Sequence, residues 1–181
     1  DNVPFNIRVN NQAAGRIDNT KLNTNMGYLS ANMTAGTNNS QFGAYSLGSL
    51  GAGSSGNSNT SVGVYSMAYN TTGYQNVAVG EYSLGGNTTG YLNVSLGAGS
   101  MDQASGSIGN VAAGFWALRG APGAASQYNV ALGFASGYSM TTGTRNVAIG
   151  LHALYSMGSG SYNVAIGDSA LYSYTTNSYM N

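Results

Sequence analysis

The chain of 181 residues has no cysteine, two prolines, one histidine, one tryptophan and only five charges of each sign. Without cysteine there is no disulfide, no thiolate nucleophile and no cysteine metal site. The net charge is zero and the pI is near 6.7. Arg8, Arg16, Lys21, Arg119 and Arg145 are scattered, so no basic patch forms and nucleic acid is not an expected partner. No apolar run reaches 18 residues, so no membrane insertion is expected. Leu, Ile, Val and Phe make up about 18% of the chain, too little for a conventional α/β enzyme core. The chain starts at Asp1 with neither initiator Met nor signal peptide, which reads as a processed product or a fragment.

What is abundant is Gly (28), Ser (23) and Asn (22), about 40% together, with 14 Tyr. Such a composition usually means disorder, but disorder tends to carry high net charge or many prolines. The remaining option is a repetitive fold.

Asn76-Val77-Ala78-Val79-Gly80 returns as Asn93-Val94-Ser95-Leu96-Gly97 and as Asn110-Val111-Ala112-Ala113-Gly114. It returns again from Asn129, Asn146 and Asn163, and weaker copies begin at Asn23, Asn39 and Asn59. The nine units start at spacings of 16, 20, 17, 17, 17, 19, 17 and 17 residues. A period of this length marks a solenoid, in which each unit buries its face against the next.

Aligned, the units become columns. The first position is always Asn and the fifth always Gly, including Gly80, Gly97, Gly114, Gly133, Gly150 and Gly167. Glycine suits a corner that needs positive φ or close backbone approach. Asn suits a turn, and stacked Asn side chains can hydrogen-bond as a ladder. The segment between them reads as a short strand whose second and fourth positions face one way. The expected core is therefore Val79, Leu96, Leu132, Ile149 and Ile166, with the small third residue pointing away. Ser or Ala at the eighth position and Leu or Met at the ninth (Leu84, Leu154, Leu171) read as a second strand that completes the core. Recurrent glycine and Thr-Thr-Gly bends leave no room for helix. The fold expected is all-β: a β-solenoid or β-roll with repeats of about 17 residues. Residues 1–18 form an N-terminal lead-in or cap, and 19–181 a nine-unit rod about 40 Å long. With two or three large apolar side chains per unit, the core is thin for one chain, so an intertwined or side-by-side homotrimer is expected.

Asn-Val-Ala-Ile-Gly followed by Ala-Leu or Ser-Leu and a Thr-Thr-Gly-type bend resembles the repeats of bacteriophage tail fibres. It is also similar to the head repeats of trimeric autotransporter adhesins, which are left-handed parallel β-rolls with three chains in the rod. The segment Phe5 to Asp18 looks like the lead-in before such repeats in tail-fibre proteins. The resemblance spans residues 5–181, and the period of about 17 favours the tail-fibre group over the shorter adhesin repeats. Tail-fibre relatives often end in an endosialidase-type chaperone removed after trimerisation. The resemblance implies that such a domain was lost or lies outside this sequence, which stops at Asn181.

The N-terminal units depart from the pattern. Thr24, Ser40 and Thr60 replace Val, and Asn25 and Gln41 replace Ala, so the core is expected to change there. The insertions at Gly51–Gly56 and Ala121–Ala125 should bulge from the rod, because lengthening a surface bend costs little.

Candidate chemistry is sparse. Glycoside hydrolysis needs two carboxyls about 5–10 Å apart. Glu81 and Asp168 share a column five units apart, whereas Glu81 and Asp102 lie in adjacent units on different parts of the unit. Solvated surface acids are the expectation. His152 falls in an aromatic column and reads as a substitution there, without the partners a metal site needs. The aromatics are the richer set. Tyr45, Tyr65, Tyr82 and Trp116 share one column, Tyr74 and Tyr91 another, and Tyr138, Tyr155 and Tyr172 a third. Packing as rungs is the simpler role. Exposed rows of this kind also suit sugar rings, which makes the first and third columns the candidate receptor or glycan contacts. Adjacent threonines cannot both face outward, and their column is broken, which argues against ice binding.

The expected role is structural: a stem or tip segment of a phage-like tail fibre, on the virion, attaching to a host cell-surface glycan or protein and joined to other fibre segments. It is expected to be no enzyme and to need no cofactor or metal. The alternatives are the head of a bacterial trimeric surface adhesin and, from another class, a glycan-degrading tailspike.

Overall fold

The computed structural model describes residues 3–30, 36–48 and 55–173. Among them there is no helix, and all strands join one eleven-stranded sheet in sequence order. Strands β1 (Phe5–Val9) and β2 (Gln12–Asp18) form an antiparallel hairpin, and β2 pairs antiparallel with β3 (Asn23–Met26). From β3 onward the ladder is parallel, through β4 (Ser40–Phe42), β5 (Thr60–Val62), β6 (Val77–Val79) and β7 (Val94–Leu96). It continues through β8 (Val111–Ala113), β9 (Val130–Leu132), β10 (Val147–Ile149) and β11 (Val164–Ile166). Each strand pairs with the equivalent residues of the next unit, as in Ala131, Ala148 and Ala165. The chain is therefore a β-solenoid of about eight turns. The hairpin covers β3, the first strand of the parallel ladder, as terminal caps of solenoids do.

The first position of each unit builds one continuous ladder. Every Asn from Asn39 to Asn163 donates its main-chain N–H (2.8–3.0 Å) and its Nδ2 (3.0–3.3 Å) to Oδ1 of the preceding Asn. All nine are at most 3% exposed, so these bonds satisfy amides that water cannot reach.

The glycine column does two jobs. Gly114 has φ +138, and a Cβ there would lie 2.3 Å from the Gly133 carbonyl oxygen of the next turn. Only glycine allows both the conformation and the approach.

Two expectations about the strand are corrected. The first concerns its faces. The small third residues point inward: Ala78, Ser95, Ala112 and Ala131 are 0% exposed. Val79, Leu96 and Ile166, expected in the core, are 38%, 40% and 67% exposed on the outer face, and Leu132 and Ile149 are half-buried there. The reason is volume. Inside, the strand already faces Leu84, Met101, Leu118, Leu154 and Met157, and a close-packed interior this narrow has room only for Ala or Ser opposite them. Leu84 and Leu154 are wholly buried, and Leu171 in the last turn is partly buried against the same cluster.

The second concerns the Ser/Ala–Leu pair, which is turn rather than strand. Tyr82 and Leu84 have φ of 53° and 52°, and the residues equivalent to them in other turns share this left-handed conformation. Such residues resist it individually. Here bonds between turns hold them, such as Tyr82 N to the Val64 carbonyl (3.0 Å) and Leu84 N to the Ser100 carbonyl (2.8 Å).

The N-terminal turns do change their core. Asn25 and Gln41 take the inward third position at 2% and 0% exposure, above Ser30, Ser46, Ser61 and Ser66. The interior is hydrogen-bonded there, as in Ser61 Oγ donating to the Ser66 carbonyl (2.9 Å). Of the two insertions, residues 51–54 lie outside the described residues, while Ala121, Pro122 and Gly123 stand exposed.

Candidate functional site: aromatic columns and the groove between them

Parallel turns stacked in register place equivalent side chains about 4.8 Å apart, which is the spacing at which aromatic rings stack. Tyr45, Tyr65 and Tyr82 do so, with centroids 5.0 and 4.9 Å apart and planes within 14°. Tyr138, Tyr155 and Tyr172 form a second stack at 4.9 and 5.0 Å, and Tyr74 and Tyr91 a pair at 4.7 Å. The candidate contact residues thus pack as rungs of the rod. They also reach solvent: Tyr82, Trp116 and Tyr172 are exposed, and Tyr45, Tyr65, Tyr138 and Tyr155 half-buried.

The structure separates Trp116 from its column and joins it to the other one. Gly99 occupies the ring position between Tyr82 and Trp116, so the first stack ends at Tyr82. Trp116 instead meets Tyr138 edge-on at 6.1 Å, together with Phe115 (4.4 Å) and Phe134 (6.4 Å). His152 packs edge-on against Phe134, Tyr155 and Tyr172. Among the described residues no three acidic or histidine side chains gather as a metal site would require.

Sequence reasoning missed the arginines. Arg119 lies over the rings of Trp116 (5.7 Å) and Tyr138 (5.6 Å) and donates to the Tyr138 hydroxyl at 2.9 Å. Arg145 sits between Tyr128 and Tyr162 in the same way. Tyr128, Arg145 and Tyr162 each precede the unit's Asn at 17-residue spacing, a register that could have revealed this cation–π stack.

Two cavities flank Tyr82. The larger, about 570 Å³, runs along Tyr69, Tyr82, Asp102, Gln103 and Ser105 to the inserted Pro122 and Gly123. The smaller, about 220 Å³, is lined by Glu81, Tyr82, Gly99, Asp102, Phe115 and Trp116. Glu81 and Asp102, expected on different parts of the unit, therefore share one cavity. Burial, and after it the neighbouring Tyr65, Glu81, Asp102 and Tyr69, push the Tyr82 hydroxyl above the ordinary phenol range, so it stays a hydrogen-bond donor. The threonine bends are committed to the fold: Thr71, Thr88 and Thr141 donate their hydroxyls to carbonyls one turn on.

No family model, curated protein or solved structure matches the chain.

Proposed function

We propose that the chain is a rod segment, stem or tip, of a phage-like tail fibre, assembled as a homotrimer and used for extension and attachment at a host cell surface. The observation that carries this reading is the outer face of the parallel ladder. Val79, Leu96, Val111, Val164 and Ile166 are exposed there, and Val64, Phe115, Phe134 and Leu151, just past the corner glycines Gly63, Gly114, Gly133 and Gly150, extend the strip. Exposed apolar residues run along this face and its corners from Met26 to Ile166, the kind of strip that a second copy of the chain covers.

Three parallel copies around a common axis bring these strips together in register, because equivalent positions recur at each turn of the ladder. The interior already closes within one chain, so the copies lie side by side rather than intertwined. The aromatic columns and the groove past the strand form the attachment surface, and the rod acts by binding rather than by catalysis. Light scattering on the purified chain tests this. A mass of three times 18.4 kDa is expected, and a monomeric mass at micromolar concentration refutes the trimer.

A further inference from the structure

The groove beside Tyr82 is built by two departures from the repeat. At the ring position of the Tyr45–Tyr65–Tyr82 column the next turn has Gly99, with φ +62, close to the φ of 53° at Tyr82. The backbone course is kept and the ring is omitted, so one face of Tyr82 carries Tyr65 at 4.9 Å and the other opens into a cavity closed by Trp116. At the opposite end the 19-residue unit adds the Pro122–Gly123 corner, which bounds the larger cavity. The lining of the larger cavity comes from the turns and bends, none of it from a strand; the groove meets the apolar strip at Phe115, which lines the smaller cavity.

The polar groups here are unevenly used. Asp102 Oδ2 accepts from Gln103 Nε2 at 2.7 Å, and Arg119 Nε approaches it at 3.8 Å, too far for a direct hydrogen bond. Among the described residues, nothing donates to Asp102 Oδ1, and the hydroxyls of Tyr69 and Tyr82 donate to nothing. An open aromatic face beside a free carboxylate oxygen, an amide and phenol donors matches a pyranose ring. Its C–H face packs on the aromatic ring, and its vicinal hydroxyls bond the polar rim. The volume lies within the range of small-ligand sites. With Glu81 and Asp102 against Arg119, the local excess is negative, which disfavours acidic sugars.

We propose that the groove between Pro122 and Trp116, across the open face of Tyr82, binds a neutral oligosaccharide. This rests on the reading of the rod as an attachment element and names its ligand class.

Trp116 is the only tryptophan, so its fluorescence reports occupancy directly. The full chain is titrated with neutral gluco-, galacto- and manno-oligosaccharides, with a sialylated trisaccharide and choline as competing ligand classes. A saturable fluorescence change with at least one neutral sugar is expected. Gln103→Ala should weaken it by about tenfold, the loss of one hydrogen bond, with an unchanged melting temperature. Gly99→Tyr, which restores the missing ring and displaces the Trp116 ring that lies against Gly99, should abolish binding as read by isothermal titration calorimetry. No saturation by any neutral sugar, tighter binding of the sialylated sugar or of choline, an inert Gln103→Ala, or release of reducing ends would each overturn the proposal. Light scattering on the same samples keeps the two readings apart. A trimer that ignores sugars sinks the groove alone, and a monomer that binds them sinks the trimeric rod alone.

Discussion

The Oδ1 of Asn93 accepts two hydrogen bonds from Asn110, from its main-chain N–H at 3.0 Å and its Nδ2 at 3.1 Å, with both residues wholly buried. Asn93 Nδ2 in turn donates to Asn76 Oδ1 (3.0 Å) and to the Ser107 carbonyl (2.7 Å). One side chain therefore ties three turns together. Asn93→Ala leaves the Asn110 main-chain N–H and the Ser107 carbonyl buried without partners, while Asn110 Nδ2 keeps the Ser126 carbonyl, and each orphaned group costs about 1–3 kcal/mol. The variant should lose at least about 2 kcal/mol in chemical denaturation. A loss under about 1 kcal/mol would mean that the ladder is ornamental.

Much of this was legible in the letters. An Asn and a Gly at every unit boundary announced a corner that needs a side-chain ladder and a bare backbone. Alternation in Val147-Ala148-Ile149 announced a strand with two unlike faces. Which face was inside could not be read from hydrophobicity, because the deciding quantity is the width left by Leu154 and Met157 across the interior. Ala148 fits that width and Ile149 does not. The left-handed residues after each glycine left one readable trace. Gly99 and Gly137 stand where other units have Tyr or Leu, and a column that accepts either marks a backbone that favours glycine. The meeting of Trp116 with Tyr138 had no such trace, since it joins residues at different positions of successive units.

The glycine column can be tested at Gly114. A methyl group there would sit 2.3 Å from the Gly133 carbonyl oxygen, on a backbone at φ +138. Neither can relax without separating two turns. Gly114→Ala should cost about 3 kcal/mol or more, whereas Gly123→Ala, where φ is +83 but a Cβ meets nothing within 4 Å, should cost only about 1 kcal/mol. Equal melting temperatures for the two variants would show that turn contact is not what the column preserves.

The reversed strand faces make opposite predictions for neighbouring residues. Ala148→Leu forces a large side chain into a filled interior and should destabilise the rod by about 1–3 kcal/mol. Ile149→Asp puts a charge on the outer face, so the monomer's circular dichroism should be nearly unchanged while the trimer, if formed through this face, dissociates. Circular dichroism and light scattering on both variants decide it. Unfolding of Ile149→Asp with tolerance of Ala148→Leu would restore the opposite assignment of faces.

The N-terminal cap carries a pH dependence of its own. Asp18 is 3% exposed, and its Oδ1 accepts from the Thr20 hydroxyl (2.7 Å), the Thr20 amide (3.1 Å) and the Lys21 amide (3.2 Å). Arg16 pairs with Oδ2 at 2.7 Å. The Thr20 hydroxyl above all, then the two amides and Arg16, outweigh burial and hold the carboxyl below the usual aspartate range. The folded chain thus binds this proton less readily than the unfolded chain. The resulting stability is complete above the unfolded value near 4 and is lost as the pH falls through the lowered folded value. Protection factors for hydrogen exchange at β2 and β3, taken against the unfolded-chain rate at each pH, should therefore fall at acid pH before those at β8 to β10 do. Asp18→Asn should show lower protection at neutral pH and little further loss of protection on acidification. An acid-induced opening that persists in Asp18→Asn would place the titrating group elsewhere.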